Sequence, residues 1–230
     1  MNTPWRLWLD GDRGAAMNMA VDEVLHEDSL ALGGEPLVRF YGWSRPSVSI
    51  GYVQAFAAAP AEGYEVVRRP TGGGVVFHDV DLTYTVVVPA GHRIEQLDRV
   101  ESYHVFHRAV ARGLAVFGVT ARLAGDQPAP ADRSTMRCFT TPTRYDVLGD
   151  LGKLAGAAQR RNRNGILHQG SVSLAAAGGD RLRLRDVLIA AFEAEFQVVF
   201  NDYAPSPSML ERAKSLAASK YATAAWNKSR

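Results

Sequence analysis

Three consecutive glycines, Gly72 to Gly74, follow two arginines and precede a histidine, a combination that suggests ligand binding. Glycine accepts positive φ and lets backbone N–H groups approach a ligand closely. The run 64–68 alternates like a strand and 75–77 is β-branched and aromatic, so the glycines lie between two predicted strands. No helix pattern and no Lys-Ser/Thr pair follows, which argues against a dinucleotide fingerprint and a P-loop. We expect a ligand loop on a sheet; the alternative is a hairpin with an unusually flexible tip.

Cys138 is the only cysteine among the 230 residues. A single cysteine excludes an intrachain disulfide and a cysteine-rich zinc site. The preceding stretch, 124–137, contains a glycine and two prolines and is typical of a loop. A thiol in this setting, directly after Arg137, can act as a nucleophile; the alternative is a buried structural cysteine.

Composition is that of an ordinary globular chain, with 47% hydrophobic and 22% charged residues. A net charge of +2 is too small to indicate a nucleic-acid partner. No apolar run approaches the roughly 18 residues of a membrane span, and the segment 1–5 lacks a secretory pattern. We therefore expect a cytoplasmic, non-membrane protein, and its length allows one large domain or a domain with a small appendage.

The elements that must position these residues follow from hydrophobic periodicity. It predicts an amphipathic helix over 16–30, a long helix over 100–117 and helical segments from Leu182 onward. Strands are predicted at 37–41, 47–51, 64–68, 75–77, 82–88, 119–123, 145–148, 153–159 and 165–174. Blocks of strands and helices without strict βαβ alternation indicate an α+β fold with a mixed, mostly antiparallel sheet and flanking helices.

Several segments together resemble a known family. The segment Arg68 to His78 is similar to the signature loop of the biotin/lipoate protein ligase and octanoyltransferase superfamily. The segments 78–85, 152–161 and 165–172 resemble the cysteine-dependent octanoyltransferases and lipoyl amidotransferases of the Gram-positive type. The similarity extends from Trp8 to Asn227.

The resemblance implies an enzyme of protein lipoylation, with a single biotin/lipoate ligase-like catalytic domain over 1–230 and no separate accessory domain. It also implies a monomer, as in many members of the superfamily. The enzyme would move an octanoyl or lipoyl group from an acyl carrier protein, or from another lipoyl domain, to a lysine of a lipoyl domain or of the glycine cleavage H protein. The acyl group would pass through a cysteine thioester, without a cofactor. Superfamily ligases instead use ATP and Mg²⁺ to form an acyl adenylate.

The resemblance also implies the catalytic residues. Cys138 matches the family's nucleophile, and thioester exchange onto a thiol is close to isoenergetic. Lys153 matches the indispensable lysine of the superfamily, and its ammonium could favour the thiolate, polarise the acyl carbonyl or serve as a base. The alternative for Lys153 is a solvated lysine beside a turn.

We expect the remaining candidates to form an acyl pocket. Arg69, Thr71 and the backbone of Gly72, Gly73 and Gly74 would lie near the thioester or phosphate end. His78 would donate to the acyl carbonyl or order the loop. By resemblance, the pocket wall would also include Gly156, Gln159, His168 and Ser171. A metal site from the histidines is not expected, because His104 and His107 lie on the long helix with no third ligand beside them.

Two further observations leave alternatives open. Arg160, Arg161 and Arg163 would attract an acidic carrier domain, or form a basic turn with no partner.

Gly74 stands where related octanoyltransferases commonly have arginine. The glycine leaves more room for a nucleotide and so favours an ATP-dependent lipoate ligase. Tyr145-Asp146, in place of the ligases' Asn-Asp, argues against that alternative. Departures at Gly74 and Ala157 also keep open a catalytically silent carrier-binding module.

Overall fold

The computed structural model describes residues 3–60, 62–125, 144–150 and 152–230. Cys138, the expected nucleophile, lies outside these ranges. The strands of the described residues are β1 Thr3–Arg13, β2 Leu37–Trp43, β3 Ser47–Ile50, β4 Glu65–Arg68, β5 Val76–Phe77, β6 Asp81–Pro89, β7 Arg122–Leu123, β8 Val147–Gly149, β9 Gly152–Asn162, β10 Gly165–Ser173 and β11 Val198–Asp202. The α-helices are α1 Ala15–Glu27, α2 Arg99–Ala115, α3 Arg181–Phe196, α4 Pro207–Leu216 and α5 Ala224–Asn227.

The strands of the described residues form two sheets. Eight strands pair in the order β11-β1-β2-β6-β10-β9-β8-β7, and three pair in the order β4-β3-β5. In the large sheet β1 runs parallel to β2 and to β11, and the other pairs are antiparallel. The expected α+β fold with a mixed, mostly antiparallel sheet is confirmed.

Helices cover both faces of the large sheet. Phe106 of α2 and Phe192 of α3 pack with Tyr84 of β6 on one face. Met19 of α1 and Met209 of α4 pack with other strand residues on the opposite face. The small sheet carries the glycine loop, because β4 ends at Arg68 and β5 begins at Val76.

Side chains cap α2, α3, α4 and α5 at their first residues; at α5 the Thr223 hydroxyl accepts from the Trp226 N–H. Asp98 accepts a hydrogen bond from the Glu101 N–H at the start of α2, and Asp180 accepts one from the Arg183 N–H at α3. Ser206 caps α4, with a proline in the first turn. These patterns are the usual start signals of helices.

The structure differs from the sequence expectation at several places. Strands β1 and β11 were not predicted, because their polar and apolar residues do not alternate cleanly and their pairing with each other is non-local. The strand expected over 119–123 is shorter, and the first helix ends at Glu27 rather than at Leu30. Among the described residues, no helix has both the length and the apolar character that crossing a membrane requires.

Candidate functional site

A pocket with an empty volume of about 410 Å³, its mouth included, lies between the large sheet and the glycine loop. The floor of the pocket consists of neighbouring residues on three strands. The strand register places Gly156 of β9 beside Ser171 of β10, and Ser171 beside Thr83 of β6. The apolar part of its wall consists of Met19, Tyr41, Trp43, Val76, Ala157 and Ala158. A mainly apolar cleft with a few polar groups suits an acyl chain.

Five of the expected binding residues line this pocket: Arg69, Gly73, Gly74, His78 and Gly156. Ser171, which was also expected in the pocket wall, lines it as well. The side chains of the other expected residues, among them Thr71, Gln159, His168 and Lys153, lie outside the lining and make other contacts.

Arg69 holds the glycine loop from within. Its guanidinium donates to the carbonyl oxygens of Gly72 and Gly74, at 2.7 and 2.8 Å, and to the backbone and hydroxyl oxygens of Ser49, both at 2.8 Å. Gly73 has a φ of +87°, which glycine adopts without strain. Among the described residues, no acceptor takes the N–H groups of Gly73 and Gly74. The loop therefore presents backbone donors that could bind an acyl carbonyl oxygen.

Arg68 points away from the pocket, so of the two arginines before the glycines only Arg69 lines it. Its guanidinium donates to the carbonyl oxygen of Gln54 at 2.6 Å and to that of Asn227 at 2.8 Å. The Trp226 indole N–H donates to the Arg68 carbonyl oxygen at 3.0 Å. Arg68 thus joins the base of the glycine loop to α5.

His78 is held at both ring nitrogens. Nε2 lies 2.7 Å from the Ser49 hydroxyl, Nδ1 lies 2.9 Å from the Asp81 carboxylate, and the ring stacks on Trp43 at 3.9 Å between centroids. Burial would raise the pKa of Asp81, but the His78 ring and the hydroxyl groups of Ser171 and Thr83 lower that pKa below its usual value. With both nitrogens occupied, His78 orders the loop and does not donate to an acyl carbonyl in this arrangement.

Thr71 connects the glycine loop to a buried carboxylate. Its hydroxyl donates to the Gln169 amide oxygen at 2.7 Å, and the Gln169 amide nitrogen donates to Asp22 at 2.7 Å. Asp22 also accepts from Arg39 at 2.6 Å and from Thr85 at 2.7 Å. The sequence reasoning missed both Asp22 and Gln169: it placed Asp22 on the polar face of the first helix, whereas that side chain is fully buried in the structure, and it assigned no role to Gln169.

Lys153 is paired with Asp146 at the edge of the pocket. The Lys153 Nζ lies 2.7 Å from the Asp146 carboxylate, and both side chains are buried. The lysine side chain passes directly over Gly156, where an added Cβ would lie 2.5 Å from Nζ. Lys153 is therefore not the solvated turn lysine of the alternative interpretation.

Replacing Gly156 by alanine should displace Lys153 without unfolding the protein. The new methyl group would lie 2.4 Å from the Lys153 Cε, and the flexible lysine side chain would move more easily than the strand. We expect acyl transfer, measured with purified protein, to fall about tenfold or more because the ammonium is misplaced. Gly11→Ala is the matched control, since no atom lies within 4 Å of that Cβ. Equal activity of the two variants would contradict this placement of Lys153.

Gln159 and His168 lie on the opposite face of the sheet from the pocket. The Gln159 amide nitrogen lies 3.0 Å from His168 Nδ1, and the His168 ring packs on Phe106 of α2 at 4.5 Å between centroids. Burial lowers the pKa of His168 well below its usual value, so the ring is neutral near pH 7. The expected position of these two side chains in the pocket wall is not what the structure shows.

The arginine cluster is largely engaged within the protein. Arg161 donates to the carbonyl oxygens of Glu95 and Leu97, at 3.0 and 2.8 Å, and to the Ser102 hydroxyl at 2.7 Å. Arg160 pairs with Glu23 at 3.3 Å. Arg161 therefore anchors the segment before α2, which does not support its expected role in carrier docking.

Among the described residues, no group of three His, Cys, Asp or Glu side chains is arranged to hold a metal ion.

The proteins that this chain resembles in sequence are enzymes of lipoyl and octanoyl attachment. Residues 14–195 match the family model of the lipoyl protein ligase A/B catalytic domain. The octanoyltransferase LipM of Kyrpidia tusciae is 37% identical over 96% of this chain and 86% of its own length. The LipM proteins of Symbiobacterium thermophilum and Bacillus subtilis are 41% and 34% identical over 76% and 74% of this chain. The matched regions are 66% and 65% of those two relatives' own lengths.

Solved structures share the fold. Lipoate-protein ligase A bound with ATP superposes with a TM-score of 0.81 at 24% identity, over 98% of this chain and 99% of that one. A bi-partite lipoate protein ligase from Thermoplasma acidophilum, studied together with its E2 lipoyl domain, superposes with a TM-score of 0.76 at 23% identity, over 98% of this chain and 96% of that one.

Proposed function

The chain belongs to the lipoyl protein ligase A/B catalytic domain family, and on that premise we propose that it transfers octanoyl groups in protein lipoylation through a cysteine acyl-enzyme. Cys138 would be the nucleophile and Lys153 its catalytic partner. The octanoyl chain would occupy the apolar pocket beside the glycine loop.

The observation that carries this proposal is the position of the Lys153 ammonium. It is buried, paired with Asp146 and placed over Gly156, a residue that lines the pocket. A positive charge beside an apolar pocket can stabilise the negative charge that develops on a thioester oxygen during acyl transfer. Nearby N–H groups of Gly73 and Gly74 are available for the same purpose.

The chain length between Cys138 and Asp146 is compatible with this role. Cys138 precedes Asp146 by eight positions, and eight extended residues span at most about 28 Å. The pairing of Ala124 with Tyr145 and Asp146 brings together the described residues on either side of Cys138. The chain length therefore permits the proposed partnership of Cys138 with Lys153.

Both halves of the proposed reaction balance without a cofactor. First, Cys138 Sγ bonds to the acyl carbonyl carbon, the bond to the carrier sulfur breaks, and the carrier leaves as a thiol with a proton. Next, the acceptor lysine amine forms an amide bond, the bond to Cys138 breaks, and the sulfur recovers a proton. Lys153 can relay these protons. ATP and Mg²⁺ would be needed only by the ligase alternative.

Enzymes of lipoylation act on lipoyl domains, and we propose that this protein does so too, with acyl carrier protein as the octanoyl donor. The glycine cleavage H protein is the second acceptor that we propose. The single domain over 1–230, the monomeric state and the cytoplasmic location stay predictions from the sequence.

Incubation with octanoyl-acyl carrier protein followed by intact-mass measurement tests the proposal. We expect one octanoyl group on the protein, released by hydroxylamine as a thioester is, and absent from Cys138→Ala. Adding a lipoyl domain should move the group to the acceptor lysine. An adduct that persists in Cys138→Ala would contradict the cysteine relay.

Two other outcomes select the other candidates. Modification of a lipoyl domain by Cys138→Ala that depends on ATP and free octanoate would identify a ligase. No adduct and no transfer with any acyl donor would indicate a catalytically silent carrier-binding module.

A further inference from the structure

Tyr145 has an unusual backbone conformation next to the carboxylate that binds Lys153. Its φ is +67°, a region that costs a non-glycine residue free energy. Residues in such conformations persist only where surrounding contacts hold them, and they concentrate at functional sites. The following residue, Asp146, carries the carboxylate 2.7 Å from the Lys153 Nζ.

Helix α2 supplies two of the contacts that hold Tyr145, whose N–H also donates to the Ala124 carbonyl oxygen at 2.8 Å. The His107 Nδ1 lies 2.5 Å from the Tyr145 carbonyl oxygen. Because a carbonyl oxygen only accepts, Nδ1 carries the hydrogen and donates it. One helical turn earlier, the His104 ring stacks on the Tyr145 ring, with 4.5 Å between centroids and 18° between planes.

His107 makes this bond at a cost. The residue is fully buried, and among the described residues its Nε2 has no hydrogen-bond partner. Burial also lowers the pKa of His107, so the ring is neutral near pH 7. An apolar side chain would avoid the desolvation cost of an orphaned buried nitrogen. What a histidine provides at this position, and an apolar side chain would not, is therefore the Nδ1 hydrogen-bond donor.

The bond fixes the position of Asp146 through peptide geometry. The Tyr145 carbonyl oxygen and the Asp146 Cα belong to one planar peptide group. On the other side, the Asp146 carbonyl oxygen accepts from the Ala124 N–H at 2.8 Å. Asp146 is thus held before and after its Cα, which aims its carboxylate at Lys153.

We propose that His107 is a positioning residue, which holds the Tyr145 carbonyl from the far side of the sheet and thereby sets the Asp146–Lys153 pair at the pocket. The proposal rests on the proposed catalytic role of Lys153. It also explains the location of His168, whose ring packs edge-on against His107 at 5.9 Å between centroids. His168 packs against His107 from the face of the sheet that α2 covers, and Gln159 contacts His168 there, so neither side chain needs to reach the pocket.

His107→Asn and His107→Leu form a matched pair for the test. An asparagine amide nitrogen can occupy the place of Nδ1 and donate, whereas leucine has a similar shape and no donor. We expect kcat for octanoyl transfer to fall about tenfold to a hundredfold in the leucine variant, with KM for the donor nearly unchanged. The asparagine variant should recover most of that loss.

A second readout does not depend on activity. Competitive acetylation followed by peptide mass spectrometry compares Lys153 with the exposed Lys214 as internal reference. We expect Lys153 in His107→Leu to react severalfold faster than in the wild type or in His107→Asn, because the ammonium is no longer held by Asp146. If the wild type transfers no octanoyl group, the proposed function fails, yet this labelling still tests the position of the lysine.

Tyr145 offers an independent test of the backbone step. Tyr145→Gly and Tyr145→Ala both remove the ring, but only glycine adopts a φ of +67° without strain. We expect the glycine variant to keep the wild-type labelling of Lys153 better than the alanine variant. The proposal would be overturned if Lys153 were labelled equally in both Tyr145 variants. It would also be overturned if both His107 variants had the same kcat and the same Lys153 labelling per folded molecule.

Discussion

Replacing Lys153 by methionine is expected to lower octanoyl transfer about a hundredfold to ten thousandfold, the range for loss of a positioned acid–base group. Methionine has a similar length and no charge, so the change removes the ammonium at the pocket edge while filling most of its space. The measurement is the single-turnover rate of octanoyl transfer from acyl carrier protein to a lipoyl domain. The donor KM should change much less than kcat.

The main complication of Lys153→Met is the buried carboxylate that it leaves behind. Asp146 would lose the partner at 2.7 Å, and breaking a buried pair commonly destabilises a protein by about 3 to 5 kcal/mol. The double variant Lys153→Met with Asp146→Asn removes both charges and should be more stable than the single variant, yet equally inactive. Lys214→Met, at an exposed pair with Glu211, is the control. Activity that returns in the double variant would show that Lys153 is structural.

Replacing Asp22 by alanine is expected to lower the free energy of unfolding by about 3 to 5 kcal/mol. The carboxylate is fully buried and accepts hydrogen bonds from four side chains, those of Arg39, Tyr41, Thr85 and Gln169. Its removal takes the 2.6 Å partner from the fully buried Arg39 guanidinium, which keeps only the Asp10 carboxylate at 2.8 Å as an ion-pair partner among the described residues. Urea denaturation measured by circular dichroism gives the change in the free energy of unfolding.

Asp28→Ala is the matched control for Asp22→Ala. Asp28 pairs with Arg212 at 2.8 Å, but that arginine side chain is 51% exposed, so we expect a cost of about 1 kcal/mol or less. Since Gln169 connects Asp22 to Thr71, Asp22→Ala should also raise the donor KM under conditions where the protein is folded. A loss of stability no greater than that of Asp28→Ala would show that the network around Asp22 is not needed for folding.

Local patterns in the sequence were sufficient to predict the elements that carry the site. The alternation in 64–68 and the β-branched run after the glycines predicted β4, the loop and β5, because strand and turn preferences act over a few residues. The apolar spacing over 100–117 likewise predicted α2, since a helix of that length shows its buried face in the sequence. Lys153 was correctly expected on a strand after a turn.

The direction of individual side chains could not be predicted in the same way. His168 and Gln169 are adjacent on β10, and one packs on α2 while the other lines the pocket. Adjacent strand residues face opposite sides, but which side holds the ligand depends on which helices cover the sheet. Arg68 and Arg69 divide in the same way between α5 and the glycine loop.

By itself, the sequence determined the fold class, the glycine loop and the chemical types available for acyl transfer, because these depend on local composition and spacing. Only the tertiary structure decided that Asp146 pairs with Lys153, that both nitrogens of His78 are occupied and that α2 holds the strained Tyr145. These contacts join residues from different strands and helices. Their geometry follows from sheet register and helix packing, which a short sequence window does not contain.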